Sequence, residues 1–349
     1  MDFSSKNINM SNRRIVILGK SRTGKSSVAN TIFGEKLIEI NHTLNSETSE
    51  CRAETRSVNR RNITLIDTPG VFDTHRSEKE LKSEIVKCIT EFTPGPHAFL
   101  IVFEVGRFTE QEQDVITKIK QYFSEEVFKY TTVLFTHGDQ LPEGQTIEDF
   151  IRGNKLVSDL VKKCGGRCHV IDNKYWKNNQ QDEYRSNQFQ VKELLKTIEK
   201  MIEANKGSCY TNEMLQAVEE MIKQEEKRIR QSSGDMSDEE IRKKAKDTVF
   251  KRLMIKLAGI TAGALLEALF GGVVMGKVVL SALKAGLPLA AGGPAIPLTV
   301  TSGVVGAVAG GVAGSSAAEG AETPLEAMKK AAKAFMNGST SIADFTKKK

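Results

Sequence analysis

The chain has 349 residues, about two domains at roughly 150 residues each, with 27% charged and 39% hydrophobic residues. That balance excludes a disordered tail and a polytopic membrane protein, and the length excludes a lone small module. The net charge is +6, yet the window Arg242 to Lys256 holds seven Lys/Arg against one Asp and carries +6 alone, so the rest is neutral and no nucleic-acid partner is expected. Five cysteines are few and odd in number, and the opening Met-Asp-Phe-Ser-Ser lacks a basic region before an apolar run. A reducing, cytoplasmic setting is expected.

In chain order, residues 1–11 read as a disordered arm. Arg14 to Leu18 is short, β-branched and stops at glycine, as a buried parallel strand does. Ile63 to Ile66, Phe99 to Phe103, Thr132 to Phe135 and His169 to Ile171 are further runs of strand length, with helical patterns between them such as Thr109 to Phe123 and Ile147 to Lys163. This alternation predicts an α/β fold, a Rossmann-like, doubly wound and mostly parallel sheet with ligands at the carboxyl ends of its strands. Val191, Leu194, Leu195, Ile198, Met201 and Ile202 lie on one face of a closing helix that ends at Asn205 to Ser208, which bounds a first domain at 12–208. A charged helical extension with a basic end follows over 209–256, broken near Ser232 to Asp235. Then come a Gly/Ala-rich apolar segment, 257–320, and a polar basic tail, 321–349.

Gly19-Lys20-Ser21-Arg22-Thr23-Gly24-Lys25-Ser26 matches the G-x-x-x-x-G-K-[ST] pattern between a strand and a helix. The glycines let successive backbone N–H groups curl round a β-phosphate, Lys25 brings a point charge to the β and γ oxygens, and the Ser26 hydroxyl can ligate Mg²⁺. With Ser27, these residues are the candidate phosphate contacts. Asp67-Thr-Pro-Gly70 follows the next buried strand: Asp67 is placed to hold Mg²⁺ and the Gly70 N–H to touch a γ-phosphate. Thr136-His137-Gly-Asp139 puts an acid just past a later strand. Guanine, unlike adenine, offers N1–H and N2–H₂ together to one carboxylate, so Asp139 favours guanine; a helix-capping aspartate is the plainer alternative.

These residues resemble the immunity-associated (IMAP, or GIMAP) family of septin-like P-loop GTPases over roughly 12–205. The most diagnostic segment is Pro94-Gly-Pro-His-Ala-Phe-Leu-Ile-Val-Phe-Glu-Val-Gly-Arg-Phe-Thr109, similar to the family's conserved box, and Asn30 to Gly34 and the Thr-His-Gly-Asp loop also fit. The resemblance implies a P-loop GTPase fold, GTP or GDP with Mg²⁺, and pairing of G domains as a homodimer or hetero-oligomer. It also implies that Thr48 is the switch-I threonine that closes on Mg²⁺, and that Asn173, in Asp172-Asn173-Lys174, touches the purine. Arg107 would then be either a catalytic arginine reaching a partner's γ-phosphate or a surface arginine in a rigid box. Two positions depart from the pattern: Arg22 stands where the family usually has glycine, and Val71 follows the Asp67 to Gly70 motif. An apolar Val71 cannot orient an attacking water, so slow hydrolysis is expected.

Cys164-Gly-Gly-Arg-Cys168-His169 has no second ligand pair at a matching interval and is set aside as a zinc site. Trp176 either covers the purine or packs a helix. The 34 residues Ala285 to Ala318 carry no charge, and Gly306, Gly310 and Gly314 recur at every fourth position. Beside the basic window, residues 242–318 suit an anionic membrane surface on the cytosolic face; a small helical bundle or an Ala/Gly-rich tail in water is the alternative. Two readings of function follow: a slow, dimer-stimulated GTPase acting as a switch, or a GTP-loaded scaffold without hydrolysis whose C-terminal segment engages membranes or partners.

Overall fold

The computed structural model describes residues 12–21, 23–35, 51–58, 61–70, 77–106, 108–176, 182–232 and 236–284. They divide into two compact units, the first formed by residues up to 70, 95–120 and 125–210, the second by 77–94, 121–124 and residues after 210.

In chain order the elements begin with β1 (Arg13–Gly19), α1 (Lys25–Phe33), β2 (Arg52–Val58), β3 (Arg61–Asp67), α2 (Glu78–Phe92) and β4 (Ala98–Glu104). They continue with α3 (Glu110–Tyr122), α4 (Glu125–Lys129), β5 (Thr131–Thr136), α5 (Ile147–Arg152), α6 (Lys155–Lys163), β6 (Cys168–Val170) and α7 (Asn187–Ala204). The chain then runs through α8 (Glu213–Ser232), α9 (Asp238–Lys256), α10 (Ala262–Leu269) and α11 (Val273–Lys284).

In the first unit the sheet order is β2-β3-β1-β4-β5-β6, parallel except that β2 runs antiparallel to β3. The five apolar runs all fall on strands, β6 ending at Val170 with His169 half-buried and the others enclosed on both faces: Ile15 to Leu18 and Ala98 to Val102 are completely buried. Ile15, Ile17, Leu100 and Val102 meet Val28 and Ile32 of α1 and Leu194, Ile198 and Ile202 of α7 in one core. This is the α/β fold that the alternation predicts, with a helical region following it. The strand β2 has no apolar run: it is an edge strand with every second residue half-buried, and its place comes from pairing along all of β3. The single helix expected over Ile147 to Lys163 is two helices. Asn154 caps α6 by accepting from the N–H groups of Leu156 and Val157, and that alternative to helical bonding breaks the run after Gly153.

The second unit is helical. α2 packs against α8, α9 and α10, and α8 against α9 and α11. Its apolar stripes are Ile85, Ile89 and Phe92 on α2 and Ile241, Ala245, Val249 and Leu253 at every fourth position of α9. Phe123 stacks on Phe270 at 4.4 Å. No single helix among the described residues is long and apolar enough to cross a membrane; α10 and α11 have that composition together but bend by 107°. Gly306, Gly310 and Gly314, with all of 285–349, lie outside the described residues.

The basic window is largely engaged inside this unit. Arg242 bonds Glu219 and Glu226 at 2.8 Å each, Lys246 pairs with Glu91 at 2.7 Å, Arg252 with Glu225 at 3.2 Å, and Lys256 donates to the Leu283 carbonyl. Charge that reads as a free basic stretch in sequence is spent on neighbouring helices.

Candidate functional site

The phosphate loop leaves β1 at Gly19, where a Cβ would stand 2.7 Å from the Val102 carbonyl oxygen of β4, so only glycine fits between the strands. Beyond it the loop folds round one carbonyl. The Thr23 hydroxyl donates to the Lys20 carbonyl oxygen at 2.9 Å, and the Lys25 ammonium donates to the same oxygen at 2.7 Å. Lys25 is 5% exposed, so its charge is presented by the loop and not dispersed in solvent. Gly24 closes the loop in the left-handed region at φ 79° as the residue before α1. Lys20 itself is drawn to α3, 3.6 Å from Glu112 and within hydrogen-bond reach of Gln111.

Across the sheet, β1 and β3 pair with Ile17 opposite Asp67, which sets the end of β3 level with the exit of β1. There the Ser26 hydroxyl donates to Asp67 Oδ2 at 2.6 Å, and the Thr68 hydroxyl holds the following turn to the Ile17 carbonyl at 2.7 Å. Asp67 is 1% exposed and Gly70 is buried. A hydroxyl and a carboxylate side by side are two hard oxygen donors, the chemistry that Mg²⁺ takes, so the residues present fit that ion.

The candidate base loops converge on the same edge. A Cβ on Gly24 would lie 3.0 Å from Asn173 Nδ2 and 3.7 Å from Thr136 Cγ2. Thr31 of α1 donates to Asn173 Oδ1 at 2.9 Å, fixing that amide against the phosphate-loop helix. Thr136 is fully buried and its hydroxyl donates to the Thr23 and Phe103 carbonyls, so it ties the loop after β5 to the phosphate loop. His137 adopts a left-handed φ of 58° and turns the chain into the short 3₁₀ helix Gly138–Gln140 that carries Asp139 on the surface. Trp176 is 4% exposed and packs on Gly138, where a Cβ would be 2.5 Å from the ring. It packs against the loop that carries Asp139.

Sequence reasoning missed Asp172 as a partner of Asp139. Although Asp139 lies at the surface, partial desolvation lifts its carboxyl above the ordinary aspartate range, and the hydrogen bond and like charge of Asp172 lift it further. Burial also raises Asp172, but bonds from Asp139 and from the N–H groups of Tyr175 and Lys174 outweigh it and hold that carboxyl low. Of the two acids, Asp139 is thus the one that takes up a proton first as pH falls. No sequence signal marks this, because the two acids are brought together only when Gly138 N–H bonds the Ile171 carbonyl between adjacent loops.

The structure therefore gathers Gly19 to Ser21, Thr23 to Ser26, Asp67, Thr136, His137, Asp139 and Asn173 at the carboxyl edge of one sheet, with Ser27 in the first turn of α1. Arg22, Thr48, Val71 and Arg107 lie outside the described residues.

A family model described as the AIG1 family matches residues 13–231. The chain is 30% identical over 209 residues to "GTPase IMAP family member 8" of Homo sapiens, covering 60% of this chain and 30% of that protein. It is 34% identical over 230 residues to "Immune-associated nucleotide-binding protein 8" of Arabidopsis thaliana, covering 64% of this chain and 62% of that one. The match thus spans less than two thirds of either relative. Among solved structures it is similar to Toc33 from Arabidopsis thaliana in complex with Mg²⁺ and GMPPNP, at 21% identity over 56% of this chain and 86% of that chain, with a TM-score of 0.44.

Proposed function

The chain belongs to the AIG1 family, and from that premise we propose that its first unit is a G domain that binds GTP and GDP with Mg²⁺ and hydrolyses GTP slowly, pairing with a second G domain in the GTP state. The observation that carries this reading is the 2.6 Å bond from Ser26 to Asp67 beside the enclosed Lys25 ammonium, which assembles a phosphate cradle and a divalent-cation donor set from two separate stretches of chain.

In this reading the backbone N–H groups of the loop from Gly19 to Ser26 wrap the β-phosphate, and Lys25 exchanges its bond to the Lys20 carbonyl for phosphate oxygens. Ser26 and Asp67, completed by Thr48, would hold Mg²⁺, which would supply neutralisation of phosphate charge. Gly70 N–H reports the γ-phosphate. Asp139 accepts from guanine N1–H and N2–H₂, while Asn173, already held by Thr31, contacts the purine. Arg107 reaches across the dimer to the partner's γ-phosphate. Val71 offers no polar group to orient water, so the rate rests on that arginine.

The second reading, a GTP-loaded scaffold, is favoured by the same Val71. Its output is the C-terminal region placed on the cytosolic face of a membrane. With most of the basic window engaged between helices, that contact falls to the apolar residues after 257, of which Val273 and Val274 are exposed.

Single-turnover GTP hydrolysis at several protein concentrations, wild type against Arg107→Ala, separates the two. A rate per molecule that rises with concentration and loses that rise in the variant supports the dimer-activated GTPase. Tight GTP binding with flat, unaltered hydrolysis leaves the scaffold, and absence of GTP binding overturns both.

A further inference from the structure

We propose that the cleft between α7 and the amino ends of β1 and β3 is a second ligand site, which takes a small amphiphilic anion: a phosphate or carboxylate on a short aliphatic body.

The cleft encloses about 380 Å³, at the lower end of the range for small-molecule sites. Its floor is aliphatic. Ile15, Ile63 and Ile198 are 3% exposed or less, and Val58 and Leu195 close the sides. Its rim is cationic. Arg13 places Nε and Nη2 each 3.2 Å from the two oxygens of Glu199, and Arg61 comes to 3.1 Å of the same carboxylate. One carboxylate between two guanidiniums leaves a positive charge held in place at the mouth.

Lys192, Lys196 and Lys200 follow at every fourth position of α7 and line the same opening, with Glu203 as the other acid among the described lining residues. Arg13, Arg61, Lys192, Lys196 and Lys200 thus stand with Glu199 and Glu203 over an apolar floor, and although Lys196 also pairs with Glu193 at 3.4 Å, the mouth keeps a net positive charge. Such a surface keeps like charges close together, and an anion seated there relieves their repulsion. The floor adds a requirement of its own. A bare phosphate leaves it wet, whereas an aliphatic body covers it and gains about 0.8 kcal/mol per methylene buried. No aromatic side chain lines the cleft among the described residues, so a stacked base has no platform.

The site is separate from the phosphate loop. Arg13 and Arg61 begin the strands that Gly19 and Asp67 end, and seven residues at ~3.3 Å each put the two sites roughly 20 Å apart. They share no residue.

The test is calorimetric titration of the full chain with hexyl phosphate, with inorganic phosphate, hexanol and phosphatidic acid vesicles as separate arms. Hexyl phosphate is expected to bind one equivalent, about ten-fold or more tighter than inorganic phosphate or hexanol. Lys196→Glu/Lys200→Glu, at two exposed positions, is expected to weaken it about ten-fold, while Lys25→Ala leaves it unchanged. Vesicle binding alone, lost on the same charge reversal, assigns the anion to a lipid headgroup. Binding that follows Lys25 or survives the charge reversal overturns the proposal, as does failure to bind any arm. None of these outcomes depends on GTP binding.

Discussion

The Ser26 hydroxyl donates a 2.6 Å hydrogen bond to Asp67 Oδ2, joining the first turn of α1 to the end of β3 across 41 positions of sequence. Parallel pairing of β1 with β3 sets this contact, since Val16 and Ile17 stand opposite Ile66 and Asp67. A slip of one residue would turn Asp67 to the other face of the sheet.

Asp67→Asn keeps an acceptor for Ser26 but removes the charge. Affinity for a fluorescent GTP analogue with Mg²⁺ is expected to fall about 10- to 100-fold, the range for losing a metal-supporting group. In EDTA the variant and the wild type should bind alike. Equal losses in both conditions would assign Asp67 to loop structure instead of the ion.

Asp172→Asn preserves a side-chain oxygen for the N–H groups of Lys174 and Tyr175 and removes the like charge facing Asp139. Protonation of Asp139 competes with guanine, so nucleotide affinity should weaken as pH falls through its raised value. In the variant that acid limb moves to lower pH, because partial desolvation alone then lifts Asp139. Affinity measured from pH 7 to 4 checks the shift.

His97 accepts from the Arg14 N–H at 3.0 Å and is 8% exposed. Burial, with Arg14 and Arg13 nearby, lowers it from 6.5 to about 4. Between those values the unfolded chain binds a proton that the folded chain refuses, so stability is lost as pH falls through this window, by roughly 3 kcal/mol when the shift is converted. His97→Gln retains an acceptor without titrating, and its denaturant midpoint should lose most of the slope between pH 6.5 and 4.

Arg242 spans two carboxylates, and Glu219 beneath it is 8% exposed. Arg242→Ala leaves that acid without its guanidinium, a cost of about 1 to 2 kcal/mol after discounting for the partly exposed arginine. The neighbouring exposed Lys243→Ala should change stability by less than about 0.5 kcal/mol. Equal midpoints for the two variants would show that the basic window is solvated.

Five strands of the first unit were legible because a strand buried on both faces carries a run of apolar residues, and the phosphate loop because its glycines and Lys25 sit in a fixed spacing. The edge strand β2 was not, since a half-exposed strand needs no apolar run and owes its place to β3. The break between α5 and α6 hung on Asn154, a residue that reads equally well as an ordinary helix surface position.

The local pattern by itself determined the elements, the order in which they alternate, and the chemistry of the loops at their ends, because periodicity and short motifs act within a few residues. The tertiary structure decided which distant charges meet. Asp139 faces Asp172, Arg13 and Arg61 converge on Glu199, and Arg242 turns to Glu219, so the same residue types serve as a coupled acid pair, a cationic cleft and an internal clamp. Electrostatic energy depends on separation and on exclusion of water, and neither exists until the chain has packed.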